Sequence, residues 1–291
     1  MLDYLQATID GALFGTTYAL VGIGFTLVFG VMRKINMSYA AASLAAAYIG
    51  LTAAYFAPNT ALFVLIVSML FGGLIGVIVY VACFHFIPRH NELASLLASI
   101  GALLTFEELL VHATQGMPTA YPSIIEARPW RLGALSIRPD LVAIFLICGL
   151  ATAAFLFILY RTRLGMATRA ISQQPVAARL CGVPLVRINI STFAITGVLG
   201  GLGGALVGTA VGVLSPMLAL PLTIKGLIVA VIGGLGSIPG AIAAGVLIGA
   251  FENVFQEFRG VTERDIYVMM LLFMFLLFRP RGIFGKHRFR D

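Results

Sequence analysis

Charge is what this chain has least of. Only 11% of its 291 residues are charged, against roughly 25% in soluble globular domains. That scarcity excludes an ordinary soluble enzyme. Cysteines are few as well: Cys83, Cys148 and Cys181 form no CxxC pair and read as small apolar core residues. His85, His90, His112 and His287 lack metal-ligand spacing, so no metal site is expected. Polar and apolar residues do not alternate, which excludes a membrane β-barrel. No basic n-region precedes the first apolar run, where Asp3 and Asp10 stand, and no small-residue cleavage site follows. No cleavable signal peptide is expected.

What is present is apolar: 60% of the residues are hydrophobic. Several windows approach or exceed the ~20 residues needed to cross a bilayer. The spans read from the sequence are 6–32, 35–56, 61–84, 93–112, 140–160, 190–213 and 266–278, with a glycine-interrupted run at 222–255. The chain is therefore expected to be one all-α integral membrane domain over 1–291, a polytopic bundle of eight or nine spans with a broken helix. Pro58-Asn59 and Pro88-Arg89-His90-Asn91 read as turns. Residues 113–139 form a polar segment with Pro118, Pro122, Pro129 and Pro139, in which Tyr121 and the lone Trp130 suit a membrane interface.

The net charge of +7 sits between spans, so the positive-inside rule accounts for it and a nucleic-acid partner is not expected. With nine crossings, one side holds Arg33, Lys34, Arg89, Arg161, Arg163, Arg169, Arg179, Arg187, Arg279, Arg281, Lys286, Arg288 and Arg290. The other holds Arg128, Arg131, Arg138, Arg259 and Arg264. Thirteen against five places the N-terminus outside, and the C-terminal tail (279–291) and the 161–189 loop in the cytoplasm.

That loop is the longest polar interruption, with five arginines and no acid. Inside it a helix is expected from about Pro175 to Cys181. Pro175 suits its first position, while Gly182 and Pro184 end it. Two turns are too short to stand alone, so the loop invites a docking partner. Elsewhere Gly200, Gly204, Gly208 and Gly212 recur every fourth residue and read as a close-packing ridge. GGLGSIPG (233–240) lacks the Gly-Lys-Ser/Thr ending of a phosphate loop. It reads as a helix break, with Pro239 starting the next helix.

Charges inside spans are expensive and need partners or water. Lys225 is read either as a pathway residue or as snorkelling to the outer interface. Glu252 lies within the bundle or near the outer end of its span. Glu107 and Glu108 are ~100° apart on a helix and face different ways.

RLGMATRAISQQPVAARLCGV (163–183), LTIKGLIVAVIGGLGSIPGAIAAGVLIGAFE (222–252) and GTTYALVGIGFTLVFGVMRKIN (15–36) together resemble the branched-chain amino acid permease family of ABC importers, the LivH type. The resemblance spans nearly the whole chain. It implies a permease subunit in a bacterial inner membrane that is not itself an enzyme. It would pair with a second, related membrane subunit, sit on two cytoplasmic ATPases, and receive substrate from a periplasmic binding protein. ATP and Mg²⁺ would be held by the ATPases, with no cofactor on this chain. ATP would close the ATPases, and the coupling helices would drive the packed spans between outward and inward access.

By the resemblance, Arg169, Pro175, Ala177, Ala178, Arg179 and Gly182 are the ATPase-coupling residues. The family usually has Glu where this chain has Val176. Asn36, Ser38, Glu108, Lys225, Ser237 and Glu252 are candidates for the translocation path. After Ile35-Asn36 the family usually reads Phe-Ala-His-Gly, whereas this chain has Met37-Ser38-Tyr39-Ala40. Urea, amides and aromatic acids therefore stand beside small amino acids as substrates. The rival class is an ion-coupled secondary transporter using Glu107, Glu108, Lys225 and Glu252.

Overall fold

The computed structural model describes residues 2–54, 56, 61–88, 91–125, 130–132, 135–260, 263–279 and 282–284. The expected Pro58-Asn59 turn, Arg89-His90 of the basic turn, Arg128 and most of the 279–291 tail lie outside the described residues. The helices are α1 (Leu2–Met32), α2 (Tyr39–Ala53), α3 (Ala61–Tyr80, extended by a π-turn at Val81–His85), α4 (Glu92–Thr114), α5 (Pro139–Arg161), α6 (Arg163–Gln173), α7 (Pro175–Leu180), α8 (Leu185–Val211), α9 (Ala219–Gly233), α10 (Ile238–Arg259) and α11 (Arg264–Phe278). Two small antiparallel sheets sit at one end of the bundle. β1 (Thr119–Ala120) pairs with β4 (Val213–Leu214), and β2 (Trp130–Leu132) with β3 (Leu135–Ile137). The polar segment 113–139 is thus partly ordered by strand pairing, which the sequence reading did not anticipate.

Glycine seams set the helix directions. Gly11 and Gly15 lie against Gly249 and Gly245, so α1 and α10 run antiparallel. Gly72 and Gly76 lie against Gly201 and Gly197, so α3 and α8 do too. A Cβ at Gly201 would fall on the Ser68 carbonyl, and one at Gly240 on that of Gly233. In lipid, where apolar burial between helices gains little, such backbone approach is the main adhesive. Tyr39 and Ser43 lie beside Gly200 and Gly204, making α2 parallel to α8. Val229 lies beside Gly22, making α9 parallel to α1. The α1–α10 and α8–α3 seams are counterparts of opposite direction, as in inverted-repeat transporters.

Helix α1 starts at the sheet end, where Gln6 Nε2 donates to Ser136 Oγ at 2.7 Å. Following the seams, α1, α2, α3, α4, α5, α8, α9, α10 and α11 pass alternately between the ends, nine passes among the described residues. The chain starts at the sheet end and α11 finishes at the end that carries α6 and α7. Seven helices are long and apolar enough to cross a membrane. The other two passes, α2 and α11, have 15 residues each and span ~22 Å, less than the ~30 Å core.

Helix α2 is short because the chain re-enters before it starts. Residues 33–38 are not helical, and α2 begins level with Gly24 and Phe25, which Tyr39 packs against. The span expected over 35–56 is shortened accordingly. Such backbone inside a membrane protein needs protein partners. Ser99 Oγ accepts from Met37 N–H at 3.2 Å, and Lys34 Nζ donates to Ser95 Oγ at 2.6 Å. The 222–255 run resolves into an α9–α10 hairpin. Gly234 and Gly236 take φ of 98° and 91° at its turn, and Pro239 lies in the first turn of α10.

Candidate functional site

The 161–189 loop folds into two short helices rather than one. Thr162 starts α6: its Oγ1 accepts from Gly165 N–H at 3.2 Å. Gly165 is pressed against the carbonyls of Ile158 and Leu159, which folds α6 sharply back under α5. Ile171 and Thr168 turn inward and are buried. Arg169 lies over the Tyr160 ring, 5.3 Å from its centroid, so it anchors α6 to α5. Only α7 is expected from the sequence. The cue for α6 was the Thr162 cap and the inward spacing of Leu164, Thr168 and Ile171.

Helix α7 has Pro175 in its first turn. At its other end Gly182, with φ of 81°, donates to Arg179 O at 3.0 Å, and Val183 N–H donates to Ala178 O at 3.0 Å. This double closure is a Schellman motif, and it holds a six-residue helix that would not persist alone. Ala178 is buried and seats the helix, while Ala177, Arg179 and Gly182 are exposed. The apolar side chains that project outward are Val176, 76% exposed, and Leu180, 84% exposed, one turn apart, with Met166 of α6 also exposed. The sequence marks Val176 only as a departure from the family's Glu and gives no sign of Leu180. An exposed apolar pair in a loop whose Arg161, Arg163, Arg179 and Arg187 are also exposed has the character of a docking surface.

The six path candidates do not converge. Asn36 and Ser38 are buried in the 33–38 segment and bond each other, Ser38 Oγ donating to Asn36 Oδ1 at 2.8 Å. Asn36, with Tyr39, Ser43 and Thr196, lines a water-sized void of about 10 Å³. Ser237 caps α10 by accepting from Gly240 N–H at 3.3 Å. Glu108 is exposed on α4, and Glu107 is half-buried beside it.

Lys225 and Glu252 are the candidates that come together from different helices. Lys225 Nζ lies 2.7 Å from Glu252 Oε1 and 3.0 Å from Asp265 Oδ1. Arg264 Nε is 3.2 Å from the same Glu252 oxygen, and the Tyr18 hydroxyl lies 3.4 Å from it. Lys225 is therefore not a snorkelling side chain without protein partners. Its carboxylates come from α10 and α11, distant in sequence, and no local pattern announced Arg264 and Asp265 as members.

The glycine ridge of α8 divides by face. Gly200 and Gly204 meet Ser43 of α2, and Gly208 meets the Tyr121 ring. Burial pushes the Tyr121 phenol well above its usual range. Gly212 packs against nothing; with φ of 77° it is the left-handed C-cap that ends α8. The seam with α3 belongs instead to Gly197 and Gly201.

A family model described as the branched-chain amino acid transport system / permease component matches residues 7–278. The chain belongs to that family. Its permease relatives include the high-affinity branched-chain amino acid transport system permease protein BraD of Pseudomonas aeruginosa, 29% identical over 97% of this chain and 96% of the relative. LivH of Escherichia coli is 28% identical over 98% and 96%. LivM of Salmonella typhimurium, another permease of that system, is 27% identical over 50% of this chain and 35% of its own. An inward-facing ABC transporter of the metal-chelate type has a TM-score of 0.50 at 16% identity, covering 94% of this chain and 85% of its own. The permease chain shares that transporter's all-α membrane fold and is a multi-pass membrane protein.

Proposed function

We propose that this chain is a membrane subunit of an ATP-driven importer of branched-chain or related small amino acids, and that α6–α7 is where cytoplasmic ATPases engage it. The observation that carries this reading is the exposed Val176–Leu180 pair on a helix closed at its C-terminus by the Gly182–Val183 hydrogen bonds and seated by buried Ala178. A rigid apolar knob outside the bundle transmits force, because its inner face, Ala178, is packed against the chain it must move. The arginine count supports a cytoplasmic location for that end. The names of the relatives support the substrate class, and a binding protein on the sheet end would deliver it. ATP and Mg²⁺ belong to the ATPases in this reading.

The second membrane subunit is assigned to the open face of α4. Leu97, Gly101, Thr105, Glu108 and His112 are exposed there at helical spacing, and a carboxylate turned to hydrocarbon is expensive. The translocation route then runs along that seam. The rival ion-coupled reading would use Glu107, Glu108, Lys225 and Glu252; of these, Lys225 and Glu252 already neutralise each other at 2.7 Å.

The test is purification from native membranes in mild detergent. Co-purification of two ABC ATPases and a second permease is expected, and Val176→Asp with Leu180→Asp should release the ATPases while the two permeases stay together. A chain that purifies alone at several detergent strengths would overturn the proposal.

A further inference from the structure

Helix α11 is the least buried of the nine passes: Val268 is its buried residue. Along its middle it stands off from α10, leaving an open apolar groove of about 610 Å³ lined by Phe251, Phe255, Tyr267, Met270 and Met274. It is pinned at its two ends. At the α6–α7 end, Ile283 N–H donates to Ile232 O at 2.8 Å and Phe284 N–H to Gly233 O at 3.3 Å, tying the chain after α11 to α9. At the sheet end the pin is ionic: Arg264 and Asp265 of α11 meet Lys225 of α9 and Glu252 of α10.

The ionic pin has a division built into it. Lys225 and Glu252 both belong to the α9–α10 hairpin and are 2.7 Å apart, with Tyr18 of α1 beside them. Arg264 and Asp265 both belong to α11 and are 3.7 Å apart. If α11 leaves, each body keeps one cation and one anion. No lone charge is stranded in a buried site, which is what makes breaking most buried ion pairs so unfavourable. The hairpin pair is the buried one, with Glu252 2% exposed. The α11 pair is the wetter one, with Asp265 50% exposed. Glu252 Oε2 has no hydrogen-bond partner, so the hairpin carboxylate has an acceptor to spare when Arg264 withdraws.

We propose that α11 is a gate helix, held by its backbone bonds to α9 at the α6–α7 end and latched by the Arg264–Asp265 pair at the sheet end, and that the latch opens and closes during transport. The inference rests on the importer reading above.

The experiment uses the assembled complex in membranes, carrying Phe255→Cys and Tyr267→Cys in a Cys181→Ser background. The two rings, centred 4.5 Å apart, lie beside the latch without belonging to it. Cys83 and Cys148 are buried. The rate of cross-linking by a short bifunctional thiol reagent is measured without nucleotide and after vanadate trapping. Uptake is measured before linking, after linking, and after reductive cleavage.

A severalfold difference in rate between the two states is expected, with uptake lost on linking and restored on cleavage. The neutral double variant Arg264→Gln, Asp265→Asn should assemble normally yet link severalfold more slowly in the nucleotide-free state. Equal rates in both states, or full uptake by the linked complex, would overturn the latch. ATP hydrolysis and subunit content are read on the same samples. Missing ATPases would sink the importer reading, whereas a coupled complex with a state-independent link sinks only this one.

Discussion

Trimming the exposed face of α7 should weaken ATPase docking by an amount the structure sets. Leu180 is 84% exposed and Val176 76% exposed, so nearly all of each side chain is available for burial by a partner. Leu180→Ala removes three carbons. At about 0.8 kcal/mol per methylene, scaled by exposure, that is ~2 kcal/mol, or ~30-fold in Kd. Val176→Ala removes two carbons, ~1.2 kcal/mol and ~8-fold by the same scaling. If the losses add, the double variant binds the ATPases ~200-fold more weakly, a shift of ~3.2 kcal/mol. Neither side chain supports the fold of the free chain, so its thermal unfolding should not move. The assay is a titration of purified ATPase subunits onto the permease pair in nanodiscs. A change under twofold for the double variant, with the protein folded, would refute docking through this face.

Four further outcomes are expected. Ala178→Arg should abolish uptake while the chain stays inserted, because a guanidinium replaces a buried methyl group that seats α7; normal uptake would remove the seating argument. Gly182→Ala should quicken limited proteolysis of the loop ~5-fold, since a residue other than glycine at φ of 81° costs ~1 kcal/mol or more. Gly201→Leu should destabilise the protein by ~3 kcal/mol or more, because the backbone of Ser68 stands where its Cβ would go and overpacking at a backbone seam has nowhere to relax. Size-exclusion chromatography would show that loss as aggregation, while Gly149→Leu, with nothing within 4 Å, stays monodisperse. A membrane-impermeant maleimide should label Cys181, the exposed cysteine, in inverted vesicles but not in right-side-out cells; the opposite pattern would reverse the orientation.

The spans were legible because lipid imposes run length, and the runs at 6–32, 61–84 and 140–160 became α1, α3 and α5 within a few residues. Helix α7 was legible because Pro175 and Gly182 are chemically specific at helix ends. Helix α6 was missed because it is only 11 residues long and carries Arg163 and Arg169, so composition marked it as loop. The small sheets were missed because strands of two or three residues leave no periodicity. The ridge of Gly200, Gly204, Gly208 and Gly212 leaves out Gly197 and Gly201, which make the seam with α3; Gly200 and Gly201 point ~100° apart, so they serve α2 and α3 respectively. Spacing of four exposed a face without saying which neighbour it met. The ionic cluster was half legible: Lys225 and Glu252 stood out against an apolar background. Arg264 and Asp265 looked like loop charges, and only the helix packing brings them beside Glu252.

The energy source decides between an ATP-driven importer and an ion-coupled carrier. The measurement is leucine uptake into proteoliposomes holding the co-purified complex and its binding protein, with ATP or an imposed proton gradient as the alternatives. Uptake that follows ATP and survives an uncoupler is the predicted result. Uptake that proceeds without ATP and collapses with the gradient would contradict it.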